Sequence, residues 1–285
     1  MSYYRLLGLE REPFSSSPDP EFFYHSLGHQ AALFRLGTAI RLKRGLSVVL
    51  GDAGTGKTTL CRCLYQLLGR TPEFVFHVIL NPSFESEQEF LQHLLECFHA
   101  SPPPGGSSSP ARCLQAIETD LFQKASVKGQ TVVLLIDEAQ KLNDPALEIL
   151  RILLNYETND SKLLQLVLFS QMELLPRLQG RRNLWDRINL KQHLQPLDEG
   201  QTREMILFRL KAAGYRGARN LFTSEAIREI HRFTQGYPRR IAVMAHDALE
   251  RLVMFDRERV EQDVILDLIQ KERSLIPAGF QEAVG

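Results

Sequence analysis

The sequence predicts an α/β fold, a parallel five-stranded sheet sandwiched by helices, followed by a small C-terminal all-helical lid domain. Three observations carry this. Short Val/Leu/Ile runs alternate with amphipathic segments over the first two-thirds of the chain, the pattern of parallel strands buried on both faces. One of those runs, in "VVLGDAGTGKTTL", passes straight into a Gly-rich loop and then into helical periodicity. After Asp198 the strands stop and four successive helical segments follow.

Residues 1–30 are rich in Pro, Ser and Asp with aromatics between them, and read as irregular. "HQAALFRLGTAIRLK" has apolar residues at helical spacing, and "LSVVL" reads as a short buried strand. "TTLCRCLYQLLG" is a helix stopped by Gly69, "FVFHVIL" a second strand and "SEQEFLQHLLECFHA" a second amphipathic helix. "SPPPGGSSSP" reads as a mobile surface loop. A helix at about 111–125 leads to the strand "TVVLLIDEAQ". The next helix has Asp144 as its expected N-cap and Pro145 at its first helical position. "KLLQLVLFSQ" is a fourth strand, and "WDRINLKQHLQPL" holds a helix end and a fifth. The expected domains are 1–198 (α/β, nucleotide-binding) and 199–273 (helical), with 274–285 a flexible tail.

The 285 residues carry 34 basic and 34 acidic side chains, so no net charge draws the chain to nucleic acid or an anionic membrane. The N-terminus lacks a basic stretch followed by an apolar run, and no apolar segment is long enough to span a bilayer. The expectation is a soluble, cytoplasmic chain, placed at the inner face of the inner membrane only if a longer chain or a partner anchors it. The four cysteines, Cys61, Cys63, Cys97 and Cys113, fit no zinc spacing and read as reduced thiols.

Gly51, Asp52, Ala53, Gly54, Thr55, Gly56, Lys57 and Thr58 match G-x-x-x-x-G-K-[ST] between a strand and a helix, with Thr59 following. Glycines let backbone N–H groups turn inward onto phosphates, and the helix N-terminus adds partial positive charge. Lys57 reaches the β- and γ-phosphates, and the Thr58 hydroxyl is a Mg²⁺ ligand. The alternative is a Gly-rich turn that binds nothing. Asp137 leaves the carboxyl end of a buried strand, where it suits Mg²⁺, and Glu138 suits a general base for the attacking water. The alternative there is a solvated acidic strand end.

Phosphoryl transfer also needs positive charge on its transition state. Arg181, Arg182 and Arg187 offer it, Arg187 standing just before the fifth strand; the alternative is an exposed Arg cluster. Arg239, after "GYP", suits a γ-phosphate contact from a helix start, and Gln171 and Ser170 end the fourth strand with polar groups. A first-turn surface residue and a strand-end cap are the plainer readings.

Together these residues resemble the AAA+ ATPases, and among them the ExeA/GspA-like (general secretion pathway protein A) family. The group-specific stretches are "GLEREPFSSSPDPEFFYHSLGHQAAL", "LLNYET", "SQMELLPRL", "DRINLKQHLQPLDEGQT" and "GYPRRIAVMAHDAL". The resemblance implies Walker A at 51–58, Walker B at 132–138, Gln171 as sensor one, Arg187 as arginine finger, Arg239 as sensor two, and the loop around Pro13 and Phe14 near the adenine. The nucleotide as ATP also rests on the resemblance. Two places depart from the family pattern: Ser170-Gln171-Met172 stands for Gly-Gln-Pro, and Ala242 for a lid Asn. Typical members continue into a transmembrane helix and a peptidoglycan-binding domain. The implied function is Mg²⁺-dependent ATP hydrolysis by a homo-oligomer, ring or filament, that drives assembly of an envelope machine, secretion or pilus, with a protein partner there. The alternative is a DNA-associated regulator of the transposition target-selection type, with Arg177, Arg181, Arg182, Arg187 and Lys191 as its local patch.

Overall fold

The computed structural model describes residues 2–15, 17–101, 109–158 and 161–275. Most of the Pro/Gly/Ser run at 101–110 and nearly all of the expected tail at 274–285 lie outside the described residues. In chain order, α1 (Tyr3–Leu6) and α2 (Leu27–Arg41) precede β1 (Leu46–Leu50), α3 (Lys57–Leu68), β2 (Phe74–Ile79) and α4 (Glu87–Phe98). Then come α5 (Pro110–Phe122), β3 (Thr131–Ile136), α6 (Asp144–Leu153), β4 (Leu164–Ser170), α7 (Leu174–Gln179), α8 (Arg182–Trp185) and β5 (Ile188–His193). The last four helices are α9 (Glu199–Ala212), α10 (Ser224–Thr234), α11 (Pro238–Met254) and α12 (Gln262–Leu275).

The chain divides into two compact units. The first, Leu27–Ala53 with Lys57–Leu194, is built on a five-stranded sheet of order β2-β3-β4-β1-β5, every pairing parallel. The three inner strands β1, β3 and β4 are buried along their whole length, as their unbroken apolar sequences require. Edge strand β5 alternates buried and exposed residues over its first four positions, and its register slips between Leu46 and Ser47 of β1. One core cluster joins Leu46, Val48 and Leu50 of β1 to Val132, Leu134 and Ile136 of β3 and to the apolar faces of α4, α5 and α6.

Local chemistry sets the helix ends. Ser86 caps α4 by accepting from the Glu89 N–H at 3.1 Å. The cap of α6 is Asn143, whose Oδ1 accepts from the Ala146 N–H at 2.9 Å; the expected Asp144 is the first helical residue. Asn143 wins because Asp144 is engaged with Arg177 and Arg181 instead. All four cysteines are free thiols, three buried and Cys97 half-buried.

The second unit gathers the described residues of Met1–Ser26, Gly54–Gly56 and those from Gln195 onward. The sequence reads residues 1–26 as part of the sheet domain; here the described ones among them pack on the helices. Phe14 is 2% exposed and meets Phe222 edge-on, while the Glu10 N–H donates to the Ala213 carbonyl at 2.8 Å. Arg209 Nε donates to the Phe22 carbonyl at 3.1 Å. The reason is complementarity: α9, α10 and α11 leave an apolar surface that short aromatics from an otherwise unhelical segment can cover. That segment also holds α1, a single turn too short for periodicity to reveal. Asp198 and Gln201 form a reciprocal capping box at the start of α9.

Candidate nucleotide-binding site

In a parallel sheet the carboxyl ends of the strands point to one edge, and loops there carry the chemistry. Three of those ends converge. β1 runs into the Gly-rich loop, β3 delivers Asp137 and Glu138, and β4, lying between them, delivers Ser170 and Gln171. The Gly51 N–H donates to the Ser170 carbonyl at 3.2 Å, which ties the end of β1 to the end of β4.

Lys57 opens α3 with its side chain turned back over the loop. Its Nζ donates to the Gly51 carbonyl at 2.7 Å and the Asp52 carbonyl at 2.8 Å, and the residue is only 5% exposed. Burial holds its pKa below the usual lysine value, and the charges of Glu138, Asp137 and Asp52 work against that drop. Gly54 and Gly56 take φ of 84° and 96°, a region that side chains with a Cβ rarely enter. Thr55 is fully buried; Thr58 and Thr59 are half-buried.

Thr58 Oγ1 donates to Asp137 Oδ2 at 2.6 Å. Asp137 is 2% exposed, and burial pushes its carboxyl up while the Thr58 hydroxyl and the Glu138 N–H pull it back. A hydroxyl and a carboxylate in contact, both hard oxygen donors on a buried rim, fit Mg²⁺, which takes few protein ligands and keeps its waters. Glu138 follows in the left-handed region, φ 53° and ψ 36°, with its N–H on Asp137 Oδ1 at 3.0 Å. A non-glycine residue held there is a strained position of the kind found at active sites.

Of the residues read from the sequence, this unit brings Lys57, Thr58, Asp137 and Glu138 together, with Gln171 at the adjoining strand end. Arg187 bonds elsewhere: its Nη1 donates to the Asn183 carbonyl at 2.6 Å and its Nη2 to Asn155 Oδ1. Arg177 and Arg181 both pair with Asp144, at 2.9 and 2.7 Å, which holds that carboxyl below its ordinary value. Lys191 lies over the Trp185 ring, 3.8 Å from its centroid. Much of the patch expected to attract DNA is therefore spent on local contacts.

Arg239, Pro13 and Phe14 belong to the other unit. There the Arg239 N–H donates to the Gly54 carbonyl at 3.3 Å, and its side chain is exposed. Phe14 is a core residue of that unit, so its ring is committed to Phe222 and only the loop's backbone and Pro13 remain for a base. Sequence reasoning missed Gln140, whose amide bonds Glu138, Ser170 and Gln171 at once. Its signal was a polar residue two places beyond the acidic pair, in the turn that follows the strand.

Comparison with known proteins agrees with this geometry. Residues 40–178 match an AAA domain. General secretion pathway protein A of Aeromonas hydrophila is 36% identical over 249 residues, 87% of this chain and 44% of that protein. The chain thus spans less than half the length of this relative. The fold is also that of Cdc6p from Pyrobaculum aerophilum, at TM-score 0.66 and 17% identity over 87% of this chain and 67% of that one. The RuvB Holliday junction branch migration motor of Thermotoga maritima matches at TM-score 0.58 and 17% identity, over 88% of this chain and 72% of that one. With its phosphate loop, acidic strand end and five-stranded parallel order, the chain belongs to the AAA+ P-loop ATPases, in the ExeA/GspA-like family.

Proposed function

We propose that this chain hydrolyses Mg-ATP as an oligomer and couples the turnover to assembly of a cell-envelope machine. The observation that carries the hydrolytic part is the constellation at the carboxyl edge of the sheet: Lys57 over the loop, Thr58 on Asp137, and Glu138 beside them. Lys57 would exchange its two loop carbonyls for phosphate oxygens, and the positive-φ glycines leave the backbone open to the same oxygens. Thr58 and Asp137 would hold Mg²⁺, which when bound neutralises charge on the β- and γ-phosphates. Glu138 would take the proton of the attacking water. Arg187 is the proposed finger for a neighbouring subunit's site, with Gln171 and Arg239 as groups that read the γ-phosphate.

The envelope role is supported by the identity to general secretion pathway protein A. The DNA-regulator reading has no comparable support, since Cdc6p and the RuvB branch migration motor share the fold alone. Lys57→Ala is expected to abolish ATP binding, and Glu138→Gln to bind ATP while lowering phosphate release by about 10²–10⁴-fold, the range a general base supplies. Phosphate release and fluorescent-nucleotide titration measure both. Wild-type turnover in Lys57→Ala would sink the site.

A further inference from the structure

We propose that Gln140 is the positioning residue of the catalytic carboxylate, and that through it the end of β4 sets where Glu138 points. The proposal rests on Glu138 being the general base. Gln140 follows β3 in the short 3₁₀ turn Ala139–Lys141 and is half-buried. Its Nε2 donates to Glu138 Oε2 at 2.7 Å. Its Oε1 accepts from Ser170 Oγ and from the Gln171 N–H, both at 3.1 Å.

The orientation of this amide follows from chemistry. A backbone N–H can only donate, so the atom facing Gln171 must be the amide oxygen. The NH₂ end then faces Glu138, where a carboxylate can only accept. Turning the amide over would oppose donor to donor at β4 and acceptor to acceptor at Glu138, two mismatches at once. Hydrogen bonds to a charged group are about twice as strong as neutral ones, so the Gln140–Glu138 bond is the stronger arm of this bridge.

The bridge is anchored at its base as well. Arg177, on α7, donates from Nη1 to the Gln140 carbonyl at 3.0 Å and from Nη2 to the Leu142 carbonyl at 2.6 Å. Its Nη2 also bonds Asp144, which Arg181 holds from the other side. Ala139, between the two bridge residues, is fully buried. The main chain of the turn is thus pinned, and the Gln140 side chain has one place to go. Oε2 of Glu138 is engaged by the amide, which leaves Oε1 to accept from water. The strained φ of 53° at Glu138 is what such over-determination can hold in place.

The consequence is a mechanical link. β4 lies between the loop strand β1 and the acidic strand β3. A shift of Ser170 and Gln171 by a bound γ-phosphate would be passed to the base by a single side chain. Gln140 touches neither the loop nor the Thr58–Asp137 pair by any bond described here, so its loss should leave nucleotide affinity alone.

The test compares Gln140→Met, which keeps length and apolar volume, with Gln140→Ala, Ser170→Ala and Glu138→Gln in the full chain. Both Gln140 variants should lose at least about tenfold in kcat, within the factor that a general base contributes, while affinity for a fluorescent ATP analogue stays within about twofold. Ser170→Ala keeps the backbone donor at Gln171 and should lose less. Adding Gln140→Met to Glu138→Gln should lower kcat no further, because a residue that acts through another is silent once that other is gone. A kcat at or above wild type for Gln140→Met beside an inactive Glu138→Gln overturns this proposal alone; an additive loss in the double variant does so too. Wild-type turnover in Glu138→Gln removes the base assignment itself, and the proposal with it.

Discussion

Lys57 and His77 show how differently two buried bases are treated in one unit. Lys57 is buried among acceptors: burial lowers its pKa, but two loop carbonyls lie within hydrogen-bond distance and the charges of three carboxylates work against that drop. His77, on β2, is 8% exposed, and its Nε2 has no hydrogen-bond partner among the described residues. Its ring meets Phe98 edge-on at 4.9 Å, and burial together with the Lys124 charge pushes its pKa down to about 4. The folded value lies below the unfolded one, so the unfolded chain binds the proton more readily. Stability from this residue is therefore present above about pH 6.5 and is lost as pH falls toward 4. Between pH 7 and pH 5 the loss is about 2 kcal/mol. Urea unfolding at the two pH values, wild type against His77→Phe, measures it; an equal loss in the variant would assign the pH dependence to other groups.

At the scale of elements, long periodic segments were legible and short ones were not. The inner strands could be read because burial on both faces demands an unbroken apolar run, and "LSVVL", "TVVLLI" and "LQLVLFS" meet that demand. The single turn α1 and the five-residue π-helical turn after α5 carry no period to read, and neither was expected. The cap of α6 moved by one residue because two arginines compete for Asp144. The turn between α10 and α11 matters for the same reason of local geometry, since it starts the helix that carries Arg239. Gly236 there has φ 76°, and a Cβ would stand 1.9 Å from the Leu197 carbonyl oxygen, whose own N–H is bonded to the Gly236 carbonyl at 2.8 Å. Gly236→Ala should therefore destabilise the helical unit by at least about 2 kcal/mol, through strain and clash together. Thermal unfolding followed by circular dichroism checks this, and an unchanged midpoint would mean the turn relaxes freely.

At the scale of the whole molecule, the proposed oligomer would complete each site with Arg187 of a neighbouring subunit. Arg187 bonds Asn155 and Asn183 instead of the Lys57, Thr58 and Asp137 group, which suits a residue meant for another subunit. Arg187→Ala should lower kcat by about 10³-fold or more, the worth of an arginine finger, with nucleotide affinity nearly intact. Mixing it with Lys57→Ala should restore part of the activity, since one variant supplies the site and the other the finger. Steady-state phosphate release across mixing ratios reads this out, and a strictly proportional loss would place the finger in cis or nowhere. Among the described residues no helix is long and apolar enough to cross a membrane.

The sequence by itself determined the phosphate loop, the acidic pair and the order of the major elements. Each of these is a local pattern: a spacing of glycines, a carboxylate at a strand end, a run of apolar residues, and each obeys short-range rules. Only the tertiary structure decided which residues meet across the sheet edge. Gln140 becomes a bridge because β4 inserts between β3 and β1, a non-local pairing that no spacing in the chain encodes. It likewise decided that Phe14 serves a helical core, because packing rewards the apolar surface that fits, wherever in the chain the aromatic ring stands.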